Sequence, residues 1–165
     1  MLTRKSGSGG IKFPLLLVMG LFLVLSAGCS LRSGLPDPDG SASGREISKT
    51  ALSVVGAPYK PGGNDPKSGL DCSGLVCWSY AKHGIKLPRT TSEQSRLGTS
   101  VSGSDLKPGD ILFFRIKGSL HTGIYTGSGK FVHSPGQGKR VRVDQINSDY
   151  WKSSFVSARR LRKIY

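Results

Sequence analysis

Residues 70–83 read LDCSGLVCWSYAKH, and they predict a helix from about Cys72 to His83. Gly84 follows and ends the helix, because glycine readily adopts the backbone conformation found just beyond helix C-termini. Asp71 stands before the first turn, where an aspartate side chain can cap free backbone N–H groups. The residues expected on the buried face of this helix are Leu75, Val76, Trp78 and Ser79.

The sequence after residue 110 has a different texture, in which short strand-like runs alternate with the turn sequences GSL, GSG and PGQG. Close spacing with turn residues predicts antiparallel pairing. The predicted strands are Ile111–Arg115, His121–Tyr125, Lys130–His133, Val141–Val143 and Phe155–Leu161. Helices first and strands second predict an α+β domain.

The sequence before the Cys72 helix predicts one more helix and a loop. Apolar residues recur at helical spacing from about residue 46 to residue 55, and Gly56-Ala57-Pro58-Tyr59 ends that helix. The glycine- and proline-rich residues 60–70 predict a loop. Further on, Thr90 and Glu93 have the spacing of a capping box and predict a short helix.

The first 28 residues have the pattern of a secretory signal. Arg4, Lys5 and Lys12 precede the apolar run Phe13–Leu25, and small residues follow it. The run is too short for a transmembrane helix, which needs about 20 apolar residues. The pattern therefore predicts export of the chain.

Cys29 directly follows Ala27 and Gly28, an arrangement that resembles the lipobox of bacterial lipoproteins. That resemblance implies a diacylglycerol on the Cys29 thiol and membrane attachment through it. Ser26 stands where the motif usually has leucine, and ordinary secretion or an uncleaved anchor are the alternatives. Because Ser30 rather than aspartate follows Cys29, the resemblance implies the outer membrane, facing the periplasm, in a diderm host.

Residues 29–45 predict a flexible tether, since glycine, proline, serine and aspartate dominate them and cannot form a core. The folded domain is expected at residues 46–165. A chain of 165 residues with 36% hydrophobic residues suits one modest core. We expect it to be a monomer.

The net charge of +14 indicates an anionic partner. Three of the basic residues belong to the export signal, so most of the excess lies in the remaining chain. Export excludes nucleic acid as the partner, and the interleaved aromatic and basic residues that stack bases are missing. A negatively charged cell envelope fits this charge.

Cys72, His121 and His133 carry the candidate chemistry. A thiol in the first turn of a helix feels the positive end of the helix dipole, which favours the nucleophilic thiolate, although the charge of Asp71 opposes this. His121 begins one predicted strand and His133 ends the next, so their rings can face the same side of a hairpin. One imidazole can then be the base for Cys72 while the other holds its tautomer.

Other residues of these types have structural interpretations. Cys77 lies about 140° around the helix from Cys72 and is expected to fill core. His83 is expected at a helix C-terminus, where a cation is favourable. No CxxC or HxxxH pair supports a zinc site, so we expect no metal. We expect Trp78, Tyr80 and Trp151 to be packing residues. Asp110 is expected to be a turn or hydrogen-bonding residue.

Several motifs in a fixed order resemble the NlpC/P60 cysteine peptidases over about residues 47–161. The motifs are GAPY at 56–59 with GG at 62–63, DCSGLV at 71–76, LPRTTSEQ at 87–94, LKPGDILFF at 106–114, HTGIY at 121–125 and FVHS at 131–134. Any one of them alone is weak, and together they are very specific.

The resemblance implies a papain-like α+β fold in which the Cys72 helix packs on an antiparallel sheet. It assigns the nucleophile to Cys72, the base to His121 and the third polar group to His133. It also places Tyr59 beside the thiol, where its hydroxyl can bind the substrate or the oxyanion, and gives Ser73 a substrate contact.

The activity that the resemblance implies is endopeptidase cleavage of peptidoglycan stem peptides or crosslinks by a lipid-anchored protein without a cofactor. Lys60-Pro61 departs from the family, which often has an aromatic residue there. A non-catalytic wall-binding or adaptor lipoprotein is one alternative, and an acyltransferase or amidase with the same thiol chemistry is another. The bond is left open between D-glutamyl–diaminopimelate and a D-alanyl–diaminopimelate crosslink.

Overall fold

The computed structural model describes residues 44–161. The predicted signal, the predicted lipid attachment at Cys29 and residues 29–43 of the predicted tether lie outside these residues. The last two residues predicted for the tether, Gly44 and Arg45, are instead the first two residues of a helix. Within the described part of the chain, no helix is long and apolar enough to span a bilayer.

The described residues form an α+β domain, which confirms the predicted fold class. The helices are α1 (Gly44–Leu52), α2 (Cys72–Ala81), α3 (Thr91–Gln94) and α4 (Asp149–Ser154), with a 3-10 turn at Gly103–Asp105. The strands are β1 (Asn64–Asp65), β2 (Gly69–Leu70), β3 (Thr99–Val101), β4 (Ile111–Ile116), β5 (Ser119–Gly127), β6 (Lys130–His133), β7 (Arg142–Gln145) and β8 (Phe155–Arg160).

Six strands form one antiparallel sheet in the order β3-β8-β4-β5-β6-β7, and β1 pairs with β2 in a separate small hairpin. The central pair is β4 with β5, in which Phe114 lies opposite His121. Strand β6 follows, and its last residue His133 pairs with Arg142 of β7. The two histidines thus lie on the neighbouring strands β5 and β6.

The sheet has a helix-covered apolar face on each side, because side chains alternate between the two faces of a strand. On one face, α1 and α2 pack over a buried cluster that includes Ile47, Ala51, Leu75, Val76, Tyr80, Ile111, Phe113, Ile124 and Val132. On the other face, Trp151 of α4 packs over Leu112, Phe114, Phe131 and Ala158. The sheet is therefore the middle layer of the domain.

Some elements differ from the sequence prediction. Strand β3 has a largely exposed pattern and lies at the sheet edge, so no apolar alternation marks it in the sequence. Helix α4 is six residues long, too short to show helical periodicity. The predicted loop at residues 60–70 contains the β1–β2 hairpin. Helix α2 ends two residues before the predicted His83.

Candidate active site

Helix α2 begins at Cys72, and Asp71 caps it as the sequence predicts. Oδ1 of Asp71 accepts a hydrogen bond from the backbone N–H of Gly74 at 2.7 Å, and Oδ2 accepts from the N–H of Gly62 at 3.0 Å. A Cβ at Gly74 would overlap the carbonyl oxygen of Gly63. The absence of a side chain at Gly74 therefore lets the glycine loop lie directly against the helix start.

Arg89 compensates the charge of Asp71. Its guanidinium forms a two-pronged ion pair with the carboxylate, with Nη1–Oδ1 at 3.0 Å and Nη2–Oδ2 at 2.6 Å, and also donates to the Gly63 carbonyl. Hydrogen bonding to Asp71 raises the pKa of Arg89 against the opposing effect of burial. The charge that was expected to oppose a Cys72 thiolate is thus paired with a cation held close by.

Ser73 is buried and its hydroxyl belongs to this network. Oγ accepts a hydrogen bond from Nη1 of Arg89 at 2.8 Å and donates to Oδ1 of Asp71 at 3.3 Å. The network holds the first turn of α2 to the residues around Arg89. The substrate contact of Ser73 stays a prediction.

The Cys72 side chain is partly exposed, and its Sγ lies 3.7 Å from Oγ1 of Thr91. Thr91 is the first residue of α3, whose start is held by the predicted capping box. Glu93 N–H donates to Oγ1 of Thr90, and Thr90 N–H donates to the Glu93 carboxylate, each at 3.3 Å. The motif was recognised in the sequence, but the approach of Thr91 to the thiol was not.

Tyr59 lies close enough to Cys72 for their charges to interact. Partial burial raises the pKa of the Tyr59 phenol, and negative charge on Cys72 and Asp71 raises it further. The backbone N–H of Tyr59 donates to the carbonyl of Lys139 at 3.0 Å, which fixes the residue against the segment before β7. A neutral phenol can donate a hydrogen bond, and the role of Tyr59 toward the substrate or the oxyanion stays a prediction.

The two histidines contact each other directly, which confirms the prediction that both rings face one side of a hairpin. Nε2 of His121 and Nδ1 of His133 are 2.8 Å apart, and the rings are perpendicular. Gly123 makes room for this contact, because a Cβ there would collide with the carbonyl of Val132 and approach Cβ of His133.

Aromatic side chains enclose the histidine pair. The ring of Trp151 lies 4.8 Å from His133 and 5.8 Å from His121, and Phe131 lies 4.9 Å from His133 between ring centres. Burial lowers the pKa of His121 to about 3, with a further effect of charge on His133. Burial likewise lowers the pKa of His133 to about 4. Both rings are therefore neutral at neutral pH.

Asp144, which no local pattern in the sequence predicts as a site residue, extends the pair by one further hydrogen bond. Its Oδ2 lies 3.0 Å from Nε2 of His133 and accepts from Nε1 of Trp151 at 3.0 Å and from Nη2 of Arg142 at 2.8 Å. Partial burial opposes ionisation, but the hydrogen bonds from Arg142 and His133 outweigh it and lower the pKa of Asp144. Since this neighbour of His133 comes from β7, only the strand register could have identified it.

Helices α2 and α3 both pack against β5, the strand that carries His121. The fold thus brings the element that begins with Cys72 onto the strand that carries the predicted base. Within residues 44–161, no group of three or more His, Cys, Asp or Glu side chains is arranged to hold a metal ion.

Two of the remaining titratable residues differ from the prediction: Cys77 is partly buried rather than part of the core, and His83 lies beyond the end of α2. Sγ of Cys77 lies 3.2 Å from the carbonyl of Pro88, and burial raises the pKa of this thiol. His83 hydrogen-bonds Thr50 through Nε2 at 2.8 Å and so links α1 to the end of α2. Asp110 is buried and forms an ion pair with Arg160.

Comparison with known proteins places this geometry in a family. A sequence profile of the NlpC/P60 family matches residues 56–160. The chain is 41% identical over 116 residues to the murein DD-endopeptidase MepH of Escherichia coli K12, covering 67% of this chain and 43% of that protein. It is 40% identical over 120 residues to the bifunctional muramidase/DL-endopeptidase CwlT of Bacillus subtilis 168, covering 70% and 36%.

A solved structure gives the same result at the level of the fold. The crystal structure of an NlpC/P60 family protein from Bacillus cereus ATCC 10987 superposes with a TM-score of 0.67 at 33% identity, covering 73% of this chain and 40% of that chain. The chain spans less than half the length of each of these three relatives. The domain has the papain-like α+β fold of NlpC/P60 proteins. Since the matched residues contain the capped Cys72 helix, the histidine pair and the whole six-stranded sheet, this chain belongs to the NlpC/P60 family.

Proposed function

We propose that this protein is a cysteine endopeptidase that hydrolyses amide bonds in peptidoglycan peptides. The observation that carries the proposal is a partly exposed thiol at a capped helix start, in a domain that also contains a buried, hydrogen-bonded histidine pair. The names of relatives from two bacteria, a murein DD-endopeptidase and a DL-endopeptidase, support the substrate class.

Cys72 is the nucleophile of the proposed reaction and His121 is its base. His121 takes the thiol proton as sulfur attacks the amide carbonyl, and a thioester forms when the C–N bond breaks. His121 returns the proton to the leaving amine, and water then hydrolyses the thioester with the same imidazole as base. His133 orients His121 through the 2.8 Å hydrogen bond between their rings.

Tyr59 and backbone N–H groups polarise the carbonyl in this mechanism. A phenol donates a hydrogen bond only while it is protonated. Tyr59 is protonated at neutral pH, since the ordinary phenol pKa lies well above that pH and burial raises the pKa of Tyr59 further. Donors aimed at the developing oxyanion contribute more to the transition state than to the ground state, which is the requirement for catalysis.

Incubation of the protein with purified sacculi tests this proposal, with the new peptide ends identified by mass spectrometry. We expect the wild type and the Cys77→Ala control to release peptides, and Cys72→Ala to release none while keeping its melting temperature. A wild-type protein that binds sacculi without cutting them would contradict the proposal and favour a wall-binding adaptor. Transfer of the peptide to an added amine would favour an acyltransferase.

The same digest decides which bond is cut. A new amino terminus on diaminopimelate with D-glutamate on the other side identifies a DL-endopeptidase. Loss of crosslinked dimers with a free D-alanine terminus identifies a DD-endopeptidase. The relatives named above include both kinds of protein.

We further propose that a lipid on Cys29 holds the domain at the cell envelope, on the periplasmic face of the outer membrane in a diderm host. The lipobox-like residues before Cys29 support this, as does Ser30 after it. Metabolic labelling with a fatty acid, followed by membrane fractionation, tests the proposal. We expect label on the wild type and none on Cys29→Ala, and an unlabelled wild type would refute it.

A further inference from the structure

A continuous line of hydrogen bonds runs from His121 to a carboxylate on β7. Nε2 of His121 lies 2.8 Å from Nδ1 of His133, and Nε2 of His133 lies 3.0 Å from Oδ2 of Asp144. Asp144 is itself held by Arg142 and by the indole N–H of Trp151. No other nitrogen of His133 remains, because both are used in this line.

The proton positions along the line follow from the chemistry of its members. An ionised carboxylate has no proton, so Nε2 of His133 must donate to Asp144. A neutral imidazole carries one N–H, so Nδ1 of His133 is an acceptor and Nε2 of His121 must donate to it. His121 then has its lone pair on Nδ1, the only nitrogen left to take a proton from Cys72.

The surroundings keep these rings in the neutral form that the line requires. Burial is the main cause of the lowered pKa of His133, and the positive charges of Arg142 and Lys139 add to it. The hydrogen bond and the charge of Asp144 act the other way but do not prevail. Arg142 pairs with the same oxygen of Asp144, so the carboxylate acts on His133 chiefly as a hydrogen-bond acceptor.

We infer that Asp144 is a positioning residue that fixes the tautomers of His133 and, through it, of His121, so that Nδ1 of His121 is the unprotonated nitrogen. Without this acceptor, His133 can carry its proton on Nδ1 and donate it to His121. His121 would then be protonated on Nδ1 and could not accept the thiol proton there. The inference rests on the proposed thiol chemistry for its consequence in turnover.

Nitrogen NMR of the full chain in detergent, labelled with ¹⁵N-histidine, measures the tautomers without any substrate. The chain has three histidines, so a His83→Gln variant assigns the one outside the site. We expect both His121 and His133 of the wild type to be protonated at Nε2 and bare at Nδ1. A wild-type His121 protonated at Nδ1 overturns the inference and needs no further variant.

Replacement of Asp144 tests the cause. In Asp144→Ala we expect a new population protonated at Nδ1 and a kcat about 10- to 100-fold lower with little change in KM, by analogy with outer groups that orient a functional imidazole through one hydrogen bond. Asp144→Asn is expected to keep the tautomers and more of the activity, because the donors on Arg142 and Trp151 favour the amide oxygen, rather than its NH2, at the position that faces His133. An Asp144→Ala protein whose His121 keeps the wild-type tautomer overturns the inference.

Asp149→Asn is the matched control. It removes the same charge from an exposed position at the start of α4, five residues along the chain. We expect wild-type tautomers and turnover. Because the NMR measurement uses no substrate, expected tautomers in a protein that leaves sacculi intact would contradict the proposed function while supporting the role of Asp144.

Discussion

The thiol and the two imidazoles of the candidate site lie in different surroundings. Cys72 is partly exposed, its Sγ lies near Oγ1 of Thr91, and it directly follows Asp71, whose carboxylate is bonded to Arg89. The histidine rings are at most 8% exposed and are enclosed by aromatic side chains. A nucleophile has to be reached by substrate, whereas a base is kept neutral by exclusion from water.

The two surroundings nevertheless share one arrangement of side chains. Each contains an aspartate that accepts hydrogen bonds at a functional residue and is paired with an arginine: Asp71 with Arg89, and Asp144 with Arg142. A guanidinium offsets the charge of a carboxylate but leaves oxygen lone pairs for other donors. Both carboxylates therefore act more by orienting their hydrogen-bond donors than by their negative charge.

Among changes to the buried histidine pair, the largest expected effect comes from removing the base. His121→Ala should lower turnover on sacculi by about 10²- to 10⁴-fold, the usual contribution of general acid–base catalysis. His133→Ala should lose less, since that ring acts through His121. The measurement is the rate of peptide release at fixed protein concentration. Equal losses for both variants would show that the two imidazoles form one functional unit.

The surroundings of Cys72 are tested by breaking the ion pair between Asp71 and Arg89. Arg89→Leu leaves the carboxylate of Asp71 without its cation and should lower the free energy of unfolding by about 1–3 kcal/mol. Turnover should fall as well, because the helix start that carries Cys72 loses a tie to the neighbouring loop. Urea unfolding gives the stability difference. Arg96→Ala, an exposed position after α3, is the control and should change it by less than about 0.5 kcal/mol.

The buried histidine pair should make the free energy of unfolding depend on pH. The lowered pKa values of His121 and His133 mean that the unfolded chain binds more protons than the folded chain below about pH 6.5. Unfolding free energy is therefore fully retained above that pH and falls as pH drops, by about 1.4 kcal/mol per pH unit for each histidine at most. Urea unfolding between pH 7 and pH 5 measures it.

A variant separates this effect from other titrations. His133→Gln should show a shallower loss of stability between pH 7 and pH 5, because one buried imidazole is gone. A wild-type protein that is equally stable at pH 5 and pH 7 would contradict the burial of neutral histidines.

The smallest expected effect concerns the second thiol of α2. Cys77→Ala should cost about 1 kcal/mol through a small cavity and leave turnover nearly unchanged. Iodoacetamide near neutral pH should modify Cys72 before Cys77, since burial raises the pKa of the Cys77 thiol. Peptide mapping of a Cys29→Ala protein gives the order. Modification of Cys77 first would exchange the roles assigned to the two cysteines.

Local patterns predicted the elements that carry the site. Asp71 before Cys72 predicted the helix cap, and Thr90 with Glu93 predicted the capping box, because both bonds join residues three positions apart. Strand β6 begins and ends at the predicted residues. The meeting of two histidine rings also followed from their places in one hairpin.

Partners distant in the sequence could not be predicted in this way. Arg89 stands 18 residues from Asp71, and Asp144 reaches His133 only because β7 pairs with β6 in one particular register. Trp151 was expected to pack, but its hydrogen bond to Asp144 depends on where the short helix α4 lies on the sheet.

The sequence by itself therefore determined the α+β class, the Cys72 helix, the longer strands of the sheet, the helix caps and the identities of the thiol and imidazole groups. These properties depend on residues a few positions apart, whose interactions survive in almost any tertiary arrangement. The tertiary structure decided which arginine pairs with each carboxylate and how completely each histidine is excluded from water. Such properties depend on strand register and on packing between distant segments, and a shift of one residue in either would change them.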